Sequence, residues 1–262
     1  MFELIYSAPY PLTGPVFVAA FVLFSALGVF LFRPLGARML GQESTWREMV
    51  TLALQICVTF FALLLALAAI TTVGNYADAR NKVSAEASAI AVLYRGVSEF
   101  PQPTRGELQK EIASYTRYVV YTSWPEQRRG KTPTGAIKIV SSMQQTLFSF
   151  RPGTAAEGIL LSSTVSAFQV FIDARRERIS ATGESIPGLL SAVLTIGVLI
   201  TIALTWFLPV RTRAAHWLIA GVVAVPASLI LFTIAALSHP FRGSAGISPS
   251  PYLVLLQTRL PH

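Results

Sequence analysis

Charged residues are missing from four stretches of the chain: 16–32, 49–73, 188–208 and 217–237. A helix needs about 20 apolar residues to cross the hydrocarbon core of a bilayer. The pattern therefore predicts four transmembrane helices, the first shorter than the rest and completed by interfacial Leu12, Pro15 and neighbouring aromatic residues. Between the second and third stretches the pattern changes to amphipathic helical periodicity. Tyr76, Ala79, Val83, Ile90, Leu93 and Val97 form one apolar seam, which continues the second span past Gly74 and ends at Phe100-Pro101. Leu108, Ile112, Tyr115 and Val119 form the face of a second helix, opened by the capping spacing Thr104…Glu107 and stopped by Trp124-Pro125. Ile137, Val140, Met143 and Leu147 mark a third. Leu161, Val165, Phe168, Ile172 and Ile179 mark a fourth, opened by Thr154…Glu157. Pro187 suits the first turn of the third span. No strand alternation and no internal repeat interrupts this, so the fold class is all-α: an integral membrane protein with four transmembrane helices and an extramembrane four-helix bundle between spans two and three. The boundaries are 1–74 for the N-terminal tail with spans one and two, 75–186 for the bundle, and 187–262 for spans three and four with a C-terminal tail.

Composition agrees. Charged residues make up 13% of the 262, against about 25% in a soluble domain, and the mean hydropathy is +0.55. The first apolar stretch has no basic residue before it and no small-residue cleavage site after it, so it reads as a retained span rather than a signal peptide. The lone cysteine, Cys57, lies within the second span and belongs to no disulfide framework or thiol metal site. The net charge of +8 points to phospholipid headgroups. No Lys/Arg cluster is interleaved with aromatic residues as nucleic-acid binding would need. Arg33, Arg38 and Arg47 in one short loop, and Arg211 and Arg213 in the other, favour an extracytoplasmic bundle by the positive-inside rule. Arg80, Lys82, Arg175, Arg176 and Arg178 flank the bundle side and weigh against it.

Two acid–base features stand inside the apolar pattern. Glu86 occupies the first seam, and Arg175 occupies the stripe of the fourth bundle helix. Equal numbers of residues separate Glu86 from Val73 and Arg175 from Gly188, about 20 Å of helix in each case. On antiparallel helices this predicts a partly buried Glu86–Arg175 ion pair that sets register; otherwise each side chain snorkels to water.

Candidate chemistry is sparse. His216, His239 and His262 have no metal-ligand spacing, and Glu107 and Glu111 read as a solvated i,i+4 face beside Lys110. No nucleophile elbow, phosphate loop or dinucleotide fingerprint is present, so no enzyme, metal or cofactor is expected. No span contains an ionisable group of the kind that couples transport to protons. Pro226 should kink the fourth span. The second span offers more. Ile56, Phe60, Leu63, Leu67 and Ile70 form one stripe, beside Thr59, Ala62, Ala66, Ala69 and Val73. Small residues permit close helix approach. The stripe either packs against helices and lipid or, with several copies around an axis, forms a dewetting constriction. Arg80, Lys82, Arg176 and Arg178 either anchor headgroups or concentrate anions at its mouth.

Four segments carry a family resemblance: NYADARNKVSAEASAIAVLY, SYTRYVVYTSWP, DARRERI and HPFRGSAGISPSP. Together they resemble the bacterial bestrophin-like family of multi-pass membrane proteins, distantly similar to the bestrophin anion channels. Ser123 departs from the pattern, since the family commonly has a glutamate before the Trp-Pro pair. The resemblance implies a homo-oligomer, pentameric in bestrophins, conducting inorganic anions in a bacterial inner membrane. It places Thr59, Leu63 and Leu67 near the apolar neck of the second helix. It also implies a cytoplasmic bundle, against the short-loop charge count, which is given the greater weight. The alternative function is a non-conducting sensor or scaffold whose bundle binds a ligand or partner.

Overall fold

The computed structural model describes residues 6, 10–39, 44–133, 135–183, 188–208, 210, 212–244 and 246–260, without the side chains of 34–39, 44, 46 and 47. Arg38, Arg47, Pro187, Arg211 and His262, all used above, lie outside the described residues or side chains. The helices are α1 (Tyr10–Met39), α2 (Ser44–Ser98), α3 (Thr104–Tyr118), α4 (Trp124–Arg128), α5 (Ile137–Ser149), α6 (Ala155–Gly183), α7 (Gly188–Thr205), α8 (Arg213–Leu237) and α9 (Ser250–Thr258). A π-helical turn, Val119–Ser123, joins α3 to α4. The chain divides into two units. One comprises Met1–Asn75, Ser185–His239 and Gly243–Ala245; the other comprises Tyr76–Glu184, Pro240–Arg242 and Gly246–His262.

The first unit is apolar. Here α1 packs along α8, and α8 along α7. Its core combines Phe21 of α1, Leu65 and Ala68 of α2, Leu194, Val198 and Ile202 of α7, and Ala224, Leu231 and Ile234 of α8. Close approach is made possible by glycine. Phe61 lies against Gly197, and Trp206 against Gly28; a Cβ at either glycine would overlap the ring. Threonines here return their hydroxyls to the preceding turn, as Thr72 does to Ala68 (2.6 Å) and Thr201 to Gly197 (2.8 Å). Hydroxyls satisfied this way add no unpaired polar group to an apolar span. Helix α8 continues through Pro226 and is capped by Thr212, which accepts from the Ala215 N–H at 3.3 Å.

The second unit is the helical bundle. Its core takes Ala79, Val83, Ile90, Leu93 and Val97 from α2, and Leu108, Ile112, Tyr115 and Val119 from α3 and the turn after it. From α5 it takes Val140, Met143 and Leu147, whereas Ile137, expected on that face, is exposed. The cap of α6 forms as its sequence predicts: Thr154 accepts from Glu157 N–H (3.2 Å), and Glu157 in turn accepts from Gly153 N–H (2.6 Å). The same spacing at Thr104 makes no such cap; Gln102 Oε1 accepts the Gly106 N–H instead, at 3.1 Å. Nor does Trp124-Pro125 end the second bundle helix. The Trp124 N–H reaches back to Val119, the wider turn accommodates Pro125, and the chain stays helical to Arg128.

Among the described residues, five helical segments are long and apolar enough to cross a membrane: Tyr10–Arg33, Glu48–Ser98, Ala155–Gly183, Gly188–Thr205 and Arg213–Leu237. Four were expected. The additional one, α6, is less apolar than the others but has only Glu157 among its first eighteen residues. Its charges are concentrated near its end, where Asp173, Arg175, Arg176, Glu177 and Arg178 follow one another closely.

Candidate functional site

The bundle seam buries Glu86 completely. A carboxylate withdrawn from water must be met by donors, and three helices supply them. Tyr115 of α3 donates its hydroxyl to Oε1. Arg178 of α6 pairs with Oε2 through Nε. Tyr252 of α9 donates to the same oxygen at 2.9 Å. Around them, the Tyr115 ring meets Phe171 edge-on, with centroids 5.0 Å apart. The Arg178 guanidinium lies over the Trp124 ring at 5.8 Å from its centroid. Trp124 also touches Phe241 and Tyr252, and its Nε1–H donates to the Ile247 carbonyl at 2.9 Å.

Glu86 thus has a buried arginine partner, but it is Arg178, not Arg175. The buried side of α6 runs Thr164, Phe168, Phe171, Arg178 and Ala181. That is one position round from the predicted stripe, because Leu161, Val165 and Ile172 are only partly buried. Three residues advance the helix by about 4.5 Å, enough to exchange one arginine for the other. Arg175 is half-buried and its Nε has no acceptor. Burial also removes Arg178 from the group of surface cations expected to attract anions.

Tyr252 was missed by the sequence reading. Its signal was faint: a Pro-Ser-Pro start followed by helix-spaced Tyr252, Leu255 and Leu256 in what looked like a tail. Burial first, and the Glu86 charge second, push both tyrosine hydroxyls well above the ordinary value of 10.0. Folded-state values raised above the unfolded ones give stability that is complete below the unfolded value and is lost as pH rises past it. We expect melting temperature to fall above about pH 10, and to fall less steeply in Tyr252→Phe, which retains only one of these two hydroxyls. Thermal melts across that range check this; equal slopes would contradict it.

The membrane part of α2 presents the other predicted set. Ile56, Phe60, Leu63, Leu67 and Ile70 are 49–70% exposed, whereas Leu65 and Ala68 on the same helix are buried. Thr59 is exposed and returns its hydroxyl to Gln55 at 2.8 Å. Arg80 is exposed. Lys82 pairs with Asp78 at 2.8 Å, and Arg176 with Asp173 at 3.4 Å in an exposed contact of little energetic weight. Glu111 accepts from the Ser142 and Thr146 hydroxyls, tying α3 to α5 rather than pairing with Glu107. Among the described residues, no group of three or more His, Cys, Asp or Glu side chains could hold a metal ion.

A multi-pass, all-α membrane protein with a helical bundle is the class these features define. The bestrophin-like domain family matches residues 19–252, and the chain belongs to that family. Among solved structures, a point variant of a bacterial bestrophin homologue from Klebsiella pneumoniae is similar, with a TM-score of 0.68 at 11% identity. The likeness covers 93% of this chain and 96% of that one, and it establishes a shared fold. No curated protein matches. Family and apolar helices together make this a multi-pass membrane protein.

Proposed function

We propose that the chain assembles as a homo-oligomer, a pentamer by family resemblance, and conducts inorganic anions through a pore lined by the membrane part of α2. The observation that carries this reading is the continuous exposed stripe Ile56, Phe60, Leu63, Leu67 and Ile70 on a helix whose opposite side is buried. Repeated around an axis, such side chains form a constriction that gates by dewetting. Ala62 and Ala66, beside the stripe, permit the close approach a narrow ring needs. Arg80, Lys82 and Arg176 remain candidates for raising local anion concentration, within a net charge of +8. In this reading four helices span the bilayer, and α6 belongs to the bundle because its end contains Asp173, Arg175, Arg176, Glu177 and Arg178. The lipid bilayer is the other partner.

Purified protein should form a stable oligomer and support anion flux in liposomes. Leu63→Ser should raise that flux about tenfold, the effect of a barrier lowered by ~1.4 kcal/mol. A monomer without flux would overturn the proposal. An intact oligomer with no flux in either form would favour the sensor or scaffold, a reading supported by α2 running unbroken from the apolar segment into the bundle sequence.

A further inference from the structure

The Glu86 cluster leaves donors without acceptors. Arg178 is 1% exposed and uses Nε on Glu86, yet its Nη1 is buried with no hydrogen-bond partner in the protein. Ser123 (1% exposed) and Gln127 (2%) are in the same position: the Ser123 hydroxyl and both polar atoms of the Gln127 amide are buried and unpaired. Trp124 connects these residues in the fold. Ser123 and Gln127 are one helical turn apart, on the same arc as Trp124, and the Trp124 ring carries the Arg178 guanidinium. Ser123 also closes the π-helical turn, a distortion that occurs frequently at functional sites.

Charge selects the missing partner. Arg178 and Arg175 bring two guanidiniums to the neighbourhood of Tyr115, against the single Glu86 carboxylate. The Arg175 Nε is also buried without an acceptor. Buried charge is stable only when paired. The occupant must therefore be negative, must accept from a guanidinium, a hydroxyl and an amide N–H, and must be small enough to fit among side chains this deeply enclosed. A bulky oxyanion or a second macromolecule does not meet these conditions. Gln127 Oε1 needs a donor of its own, which a water retained by the ion supplies.

We propose that the bundle binds a small monovalent inorganic anion, of the halide class, at Arg178 Nη1, Ser123 and Gln127. The inference does not rest on conduction. Crystals of the protein grown in bromide should show an anomalous peak within hydrogen-bond distance of Arg178 Nη1. Melts of the detergent-solubilised protein at constant ionic strength should show saturable stabilisation by chloride, relative to gluconate. At a hundredfold excess over Kd the ratio of folded to unfolded protein should rise about 100-fold. Gln127→Glu supplies a carboxylate in place and should remove the chloride dependence, whereas Lys138→Gln, an exposed site on α5, should retain it. A water without anomalous signal at Arg178 Nη1 would overturn the proposal, as would undiminished chloride dependence in a folded Gln127→Glu protein. If that variant does not fold, the bromide peak in the unaltered protein decides.

Discussion

Replacing Arg178 with methionine will destabilise the protein by ~3–5 kcal/mol, the usual cost of removing one member of a buried ion pair. The substitution leaves Glu86 fully buried with its charge uncompensated and, among the described residues, two neutral tyrosine hydroxyls as its donors. It also strips the guanidinium from the face of Trp124. Arg175→Met should cost less, because Arg175 is half-buried and makes no bond to the carboxylate. A double-mutant cycle separates the two arginines. Glu86→Gln combined with Arg178→Met should show strong coupling, while the cycle with Arg175→Met should be close to additive. Equilibrium unfolding in detergent provides the measurement. Equal coupling in both cycles would contradict the pairing, and so would a negligible effect of Arg178→Met.

That contrast also marks what could be seen in the sequence. The place of Glu86 was legible, because the α2 seam has sharp polar neighbours and a single consistent register. Its partner was not. Apolar residues occur on several sides of α6, with Leu160, Leu161, Val165, Ala167, Ile172 and Ala174 all packed partly against the core. A broad apolar surface does not fix the azimuth of a helix, so periodicity alone placed the stripe one position away. The same breadth makes α6 qualify as a membrane-crossing segment by length and composition. Tyr252 illustrates a different limit. It lies 166 residues from Glu86 in the chain, and only tertiary packing could connect them. Local chemistry was read better when the side chain could reach its own backbone, as Thr154 does. It failed at Thr104, where Gln102 takes the first-turn N–H instead. The stripe on α2 was legible from spacing, since an apolar side and a small-residue side alternate regularly from Ile56 to Val73.

Gly197→Ala should be among the most damaging single-methyl additions in the membrane unit. The Phe61 ring occupies the position where a Cβ would stand, so the ring or the helix must move. Moving the ring is hindered by its surroundings: Leu64 and Leu65 follow on α2, and Leu194 and Val198 on α7 are fully buried in the same core. Overpacking of this kind costs ~1–3 kcal/mol, and more where backbone must shift. Ordinary helix propensity argues the opposite way, since alanine is favoured over glycine by about 1 kcal/mol in a helix interior. The sign of the measured change therefore decides between close packing and simple propensity. Thermal melts in detergent should show Gly197→Ala destabilised, and Phe61→Leu should recover part of the loss in the double variant by vacating the space. Gly74→Ala provides the reference, because a Cβ at that glycine meets no atom within 4 Å, and it should be neutral or stabilising. If Gly197→Ala stabilised the protein as Gly74→Ala does, the Phe61–Gly197 approach that joins α2 to α7 would be wrong.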